Sequence, residues 1–164
     1  MKRYAVFLLF ICLLPVLSGC GGGPASADAV PGPGSEDLTQ TPDIEEEQVM
    51  NILISVGDKE FSASLTDNGA AKALVDMLPM TLGMSELNGN EKYCYLDSSL
   101  PTDAGVPSGI EAGDIKLFGN NCLVLFYESF PTSYSYTPLG HIDDPEGLAE
   151  ALGSGGVQVS FQKG

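Results

Sequence analysis

The sequence predicts a mainly β domain, a small closed barrel with two helices, between Val49 and Gly164. Several short segments alternate apolar and polar residues, as strands with one buried face do, and turn residues separate them at short intervals. Two other segments place apolar residues at helical spacing. Roughly 115 residues are enough for one hydrophobic core, so we expect a single folded domain.

The N-terminal part of this domain is predicted to be a hairpin followed by a helix. Residues 52–56 and 61–65 each alternate apolar and polar side chains, and Gly57-Asp58 between them is typical of a tight turn. Asp67 or Asn68 can cap the helix by accepting a hydrogen bond from its free backbone N–H groups. Pro79 is expected to end the helix, whose apolar face comprises Ala71, Leu74, Val75 and Leu78.

The rest of the domain is predicted to contain more strands and one further helix. The strands are expected at 80–86, 91–96, 114–118 and 122–127, with another inside 134–142 and a last one containing Val157, Val159 and Phe161. The last strand is expected to pair with the first. Asp144 should cap the second helix, Pro145 should occupy its first position, and Gly153 should end it. The inward-facing residues of that helix would be Leu148, Ala149 and Leu152.

The N-terminus predicts a lipoprotein signal peptide over residues 1–19. Lys2 and Arg3 precede an apolar run that ends at Leu17 and is shorter than the roughly 20 residues of a membrane span. The Leu-Ser-Gly-Cys sequence ending at Cys20 resembles the bacterial lipobox, in which the cysteine thiol is lipidated. A plain secretory signal, or a buried cysteine in a short helix, is the alternative. We expect Cys20 to anchor the chain to a membrane of the cell envelope, outside the cytoplasm.

Residues 20–48 are predicted to be a flexible tether, because they are rich in glycine, proline and acidic residues and have little apolar surface to bury. Cleavage of the signal peptide removes Lys2 and Arg3. It leaves five lysines against 22 acidic residues, so the net charge changes from −15 to −17. A chain this acidic has no basic surface for phosphate groups, which excludes nucleic-acid partners.

Three segments in this order resemble consecutive strands of the cyclophilin barrel: Ala112–Gly119, Asn121–Phe126 and Leu139–Ile142. Asn88–Leu96 adds a likeness to bacterial cyclophilin-like domains, and the whole resemblance extends over Val49–Phe161. The resemblance implies a cyclophilin-like barrel. It also implies prolyl cis–trans isomerisation as the activity of the family.

The sequence lacks the residue on which the chemistry of that family depends. Prolyl isomerases of the family use an arginine to bond the substrate carbonyl and lower a rotation barrier of roughly 20 kcal/mol. Arg3 is the sole arginine of this chain, and it is lost with the signal peptide. A lysine lacks the planar fork of a guanidinium group. We therefore assign no catalytic residue.

A group of aromatic residues is the candidate binding groove: Phe126, Phe130, Tyr134 and Tyr136. Aromatic side chains on one face of a barrel can bind an extended or proline-containing peptide. The alternative is that they belong to the core. Alternation along the chain favours a core position for Phe118 and Phe126, whereas Tyr134 and Tyr136 are open between the two interpretations.

The other polar candidates favour structural roles. His141 is the single histidine, and no neighbouring nucleophile in sequence indicates a general base. The acidic residues 143, 144 and 146 can bind calcium, but capping and the dipole of the following helix explain them better. No cofactor motif or metal-ligand spacing is visible.

Cys94 and Cys122 are the cysteines that remain once Cys12 is removed and Cys20 is acylated. In an oxidising compartment they can form a disulfide that stabilises the fold by roughly 3–4 kcal/mol. The alternative is two small buried side chains on neighbouring strands.

Three functions follow from the sequence. The first is a membrane-tethered module that binds an exported peptide or protein, or a small ligand, without catalysis. The second is a prolyl isomerase with an altered site that acts on exported proteins. The third is a structural surface protein, which a filled groove would favour.

Overall fold

The computed structural model describes residues 50–164, which form eight strands and two helices. The elements are β1 (Met50–Val56), β2 (Lys59–Leu65), α1 (Gly69–Asp76), β3 (Met80–Leu87), β4 (Glu91–Tyr95), β5 (Asp114–Phe118), β6 (Cys122–Phe126), β7 (Thr137–Ile142), α2 (Leu148–Leu152) and β8 (Val157–Lys163). The predicted signal peptide, the anchor at Cys20 and the tether over 20–48 lie outside the described residues. Neither helix between residues 50 and 164 has the length and apolar character needed to span a membrane.

The strands form a closed antiparallel barrel in the order β1-β2-β7-β5-β6-β4-β3-β8. The last strand returns to the first, with Ile54 opposite Phe161, so the predicted pairing of the two chain ends is confirmed. A mainly β closed barrel with two helices is therefore confirmed as the fold class.

The N-terminal hairpin and helix follow their sequence signals. Val56 pairs with Lys59 across the two-residue turn that begins at Gly57, where φ is 61°. Asn68, and not Asp67, caps α1, because its side-chain oxygen accepts from the Ala71 N–H at 2.8 Å. The amide group of Asn68 also donates to a carbonyl at the start of β7, which fixes the helix against the barrel.

The predicted start of the second helix is wrong. Helix α2 begins at Leu148 after Gly147, whose φ of 79° lies in the left-handed region. Asp144 instead accepts a hydrogen bond at 3.1 Å from the backbone N–H two residues later, which makes a turn that holds Pro145 outside the helix. Ala149, which was expected to face inward, is exposed.

Two hydrophobic cores meet at β6, the strand that is buried along its whole length. Leu123 and Leu125 face the barrel interior, together with inward residues of the other strands and both helices. Cys122, Val124 and Phe126 face outward into a second, smaller core. Successive side chains of a strand point to opposite faces, so this single strand separates the two cores.

The outer core is covered by two long connections, residues 96–113 and 127–136. Gly105 and Tyr136 exchange backbone hydrogen bonds of 3.0 and 2.9 Å, and Ile110 and Phe130 do the same at 2.9 and 3.1 Å. The predicted strand inside 134–142 therefore begins only at Thr137. These two bridges hold irregular segments against the outer face of β6.

Candidate functional site

A depression of about 370 Å³ lies on the outer face of the barrel wall, where the covering segments end; we call it the aromatic site. Its floor consists of outward-facing residues of two paired strands. Tyr93 lies opposite Val124, and Tyr95 lies opposite Cys122, in the β4–β6 register. All four line the aromatic site.

Aromatic rings in tilted and edge-to-face contact form the wall of the aromatic site. The Phe118 ring lies with its centroid 6.1 Å from Tyr134 and 5.6 Å from Tyr136. Below them, the Phe126 ring lies 5.7 Å from Phe130 and 5.6 Å from Tyr136. Aromatic pairs at these separations and tilted angles stabilise each other beyond their area of contact, which gives the wall a fixed shape.

The structure brings three of the four predicted groove residues, Phe130, Tyr134 and Tyr136, to the lining of the aromatic site. Phe126 lies beneath them with no exposed surface and supports the rings of Phe130 and Tyr136. Phe118, for which a core position was favoured, is 44% exposed and lines the site. It is the last residue of β5 and lies on the opposite face of that strand from the buried Ile115 and Leu117.

Exposed apolar surface is concentrated at the aromatic site. Five large hydrophobic side chains in residues 50–164 are exposed, and four of them line it. These four are Leu87 (42%), Tyr95 (65%), Phe118 (44%) and Tyr134 (64%). Clustered exposed apolar residues rimmed by polar groups mark binding surfaces, whereas scattered ones do not.

Glu91, which the sequence analysis did not single out, lines one end of the aromatic site. It stands opposite Phe126 on the outer face of the wall, and within the described residues its carboxylate has no hydrogen-bond or ion-pair partner. Burial, followed by repulsion from Glu86, raises the pKa of the Glu91 carboxyl. In the sequence, Glu91 alternates with Tyr93 and Tyr95 along β4 and therefore shares a face with them, and this pattern could have indicated Glu91 as a site residue.

The negative charge of Glu91 affects the pKa of other groups that line the aromatic site. Burial, and next the Glu91 carboxylate, raise the pKa of the Tyr136 hydroxyl and of the Cys122 thiol. Both groups therefore remain neutral near pH 7. The side chains that line the site thus include one negative charge and no lysine, arginine or histidine.

The turn beside Glu91 brings further acceptors to the same end of the site. Asn88 and Gly89 form the predicted β3–β4 turn with positive φ values of 57° and 73°. Asn90 follows and lines the aromatic site, and its side-chain oxygen is buried without a hydrogen-bond partner in the described part of the chain. A buried acceptor left unpaired costs free energy.

A buried ion pair lies on the other side of the same strand. Lys92 has no exposed surface, and its ammonium group donates to the Glu86 carboxylate and to the carbonyls of Gly153 and Gly155 at 2.7 and 2.8 Å. Its three N–H donors are thus all used. Tyr127 completes the group by donating to Glu86 at 2.7 Å.

The ionisation of this group is set by its contacts. Burial alone would raise the pKa of the Glu86 carboxyl, but hydrogen bonds from Lys92, Tyr127 and Gly89 hold it below its usual value. Burial and the hydrogen bond to Glu86 raise the pKa of Tyr127 to about 12. The group ties the loop before β8 to the end of the barrel and does not open onto the aromatic site.

The remaining polar candidates lie away from the aromatic site. His141 Nδ1 lies 3.3 Å from Asp114, whose other oxygen pairs with Lys116 at 3.0 Å. Asp143 accepts from the Ser64 hydroxyl at 2.7 Å. Within residues 50–164 no three acidic, histidine or cysteine side chains are grouped as a metal site would require.

Cys94 and Cys122 are free thiols. Cys94 pairs with Leu123 in the strand register and packs against the barrel core, whereas Cys122 belongs to the outer core. Their side chains therefore leave opposite faces of the barrel wall. The structure agrees with the interpretation of two small side chains on neighbouring strands, and a disulfide would require one strand to change its register.

Comparisons with known proteins agree with this architecture. A sequence model described as the Cyclophilin-like family matches residues 54–162. Among solved structures, the solution structure of a hypothetical protein from Archaeoglobus fulgidus has a TM-score of 0.53 at 17% identity, and the match covers 71% of this chain and 95% of that chain. At this identity the likeness concerns the fold alone. No curated protein matches the chain.

Proposed function

The chain belongs to the cyclophilin-like family, as its segments predicted, and on that premise we propose a membrane-tethered, extracytoplasmic binding module. The module holds a peptide or small ligand at the aromatic site and catalyses no reaction. The concentration of exposed apolar side chains at that site carries the proposal. A volume of about 370 Å³ is near the lower end of the range for small-molecule pockets, roughly 300–1,000 Å³.

The non-catalytic part of the proposal rests on the absence of a suitable donor. Prolyl isomerisation needs a preorganised group that stabilises the twisted amide in the transition state. The mature chain after Gly19 contains no arginine, and no cationic side chain lines the aromatic site within the described residues. The site can supply contact area but no fixed positive charge.

The location rests on the N-terminal sequence, where Leu-Ser-Gly precedes Cys20. Growth with an alkyne-labelled fatty acid tests it, because the wild-type chain should incorporate the label and Cys20→Ser should not. Equal labelling of both chains, or of neither, would refute the anchor.

Binding and catalysis are tested on the mature chain, residues 20–164, with Cys20→Ser so that it purifies without lipid. The neutral probe 2-phenylethanol should bind saturably, and Phe118→Ala and Tyr134→Ala should both weaken it. Val106→Ala is the matched control, because Val106 is 60% exposed but lies outside the aromatic site. Absence of saturable binding, or equal effects of all three substitutions, would contradict the proposal.

A protease-coupled assay on a proline-containing peptide tests the absence of catalysis. The rate of cis-to-trans isomerisation should equal the uncatalysed rate at every protein concentration. A rate that rises with protein concentration would show that the chain is an isomerase with an altered site.

A further inference from the structure

Glu91 is a partly buried carboxylate whose charge nothing in residues 50–164 neutralises. The neighbouring acid Glu86 repels it and has its own partners in Lys92 and Tyr127. A partly desolvated charge without a counter-charge is unfavourable, and it persists in a fold only at a cost in stability. A cation placed in the aromatic site would remove that cost.

The other groups at the aromatic site favour the same kind of ligand. The Asn90 side-chain oxygen is buried and has no partner in the described part of the chain, so it adds negative potential at this end of the site. Tyr93 and Tyr95 stand in a T-shaped pair beside it, with centroids 6.0 Å apart. The faces of aromatic rings attract cations.

The described chain does not offer a cation of its own. Lys92 is the sequence neighbour of Glu91, but it points to the other side of the wall and is fully used there. From Tyr4 to Asp58 the sequence contains no lysine, arginine or histidine, so no side chain of the predicted tether can supply one. No side chain of the described residues or of the tether neutralises Glu91, which leaves it open to a cation from another molecule.

We infer that the aromatic site binds a small organic amine in its protonated form, with the ammonium group at Glu91 and an apolar body against the rings of Phe118 and Tyr134. This inference rests on the proposed binding function and names its ligand class. The volume of about 370 Å³ favours a small molecule over a longer chain.

The test compares 2-phenylethylammonium with 2-phenylethanol, which has the same body without the charge. Calorimetry uses the mature chain with Cys20→Ser at pH 7 and low salt. The ammonium compound should bind about tenfold more tightly, or better. Glu91→Gln should abolish this preference by weakening the binding of 2-phenylethylammonium. Glu128→Gln removes the same charge at an exposed position outside the site and should keep the preference.

The outcomes separate this inference from the proposed function. Equal binding of the two probes, or a preference that survives Glu91→Gln, overturns the amine assignment and leaves the binding module standing. No saturable binding of either probe overturns both. The capped peptide acetyl-Ala-Lys-Ala-amide presents the same ammonium group on a chain, and tighter binding of that peptide would overturn the assignment to a small molecule.

Discussion

Glu91 and Lys92 are consecutive on β4, yet their side chains lie on opposite sides of the barrel wall. Lys92 is fully buried and ion-paired with Glu86, whereas the carboxylate of Glu91 faces the aromatic site without a partner in residues 50–164. One charge stabilises the end of the barrel. The charge of Glu91 lies at a site lined by aromatic rings, where a ligand can contact it.

Glu91→Gln should stabilise the protein at neutral pH. Because the folded-state pKa of Glu91 is raised, the folded chain binds more protons than the unfolded chain, and stability from this group falls as pH rises through that range. Glu91→Gln removes the carboxylate and therefore removes this loss of stability. Urea unfolding should give a higher midpoint for the variant at pH 7. The difference should vanish well below pH 4.5, the ordinary pKa of the group. A lower midpoint at pH 7 would contradict this account of Glu91.

Glu86→Gln should have the opposite effect. It leaves the buried ammonium of Lys92 without a counter-charge; loss of one partner of a fully buried pair costs about 3–5 kcal/mol, and the 22% exposure of Glu86 makes that the upper bound here. The control is Asp67→Asn, which breaks the pair with Lys72 at the surface and should cost less than about 1 kcal/mol. Comparable losses in the free energy of unfolding for the two variants would contradict a structural role of the Lys92 pair.

Acid should destabilise the protein through the pair of Glu86 and Lys92. The pKa of Glu86 is lowered in the folded state, so its stabilisation is present above its unfolded pKa and is lost as pH falls through the folded pKa. As pH falls from neutral to below 4.5, the ordinary pKa of the group, the wild-type chain should therefore lose more stability than Glu86→Gln does. Urea midpoints across this interval check the difference, which should shrink as pH falls.

Gly140 is required where β7 pairs closely with β2. A Cβ atom there would lie 2.5 Å from the carbonyl oxygen of Ser64 and 2.7 Å from a methyl of Leu65. Gly140→Ala should cost about 1–3 kcal/mol, since backbone at that distance cannot yield as a side chain does. Gly105→Ala, where nothing lies within 4 Å, should stay within about 0.5 kcal/mol of wild type. Equal thermal unfolding midpoints for Gly140→Ala and Gly105→Ala would contradict the close approach of β7 to β2.

Much of the barrel was predictable because its strands obey local rules. Alternation located β1, β2 and β8, and the side-chain oxygen of Asn68 made it a cap for α1. The start of α2 was missed because Asp144 satisfies a nearer backbone N–H group, which is an equally local contact. Two local interactions competed there, and the sequence pattern does not say which one wins.

The site was predictable only in part. Phe130, Tyr134 and Tyr136 were found as a cluster in sequence, and they line one depression. Glu91 was missed because strand parity alone does not say which face of β4 is inward. Tyr93 and Tyr95 have the more apolar pattern, yet it is Lys92 that faces the interior, since Glu86 and two carbonyls receive its charge there.

The two thiols should behave independently. Since Cys94 and Cys122 lie on opposite faces of the wall, a reducing agent should leave the thermal unfolding midpoint unchanged. A disulfide would instead contribute roughly 3–4 kcal/mol. Titration with a thiol reagent should find two free thiols in the unfolded chain carrying Cys20→Ser. A midpoint that falls on reduction would show a bond between the two strands.

We propose that this protein binds its ligand at the aromatic site, and a map of amide chemical shifts tests this most directly. The mature chain with Cys20→Ser is titrated with 2-phenylethylammonium while its ¹H–¹⁵N spectrum is recorded. Saturable shifts should be concentrated in residues 87–95 and 118–136, which surround the site. Shifts confined to the depression lined by Asp114 and His141, or the absence of any saturable shift, would contradict the claim.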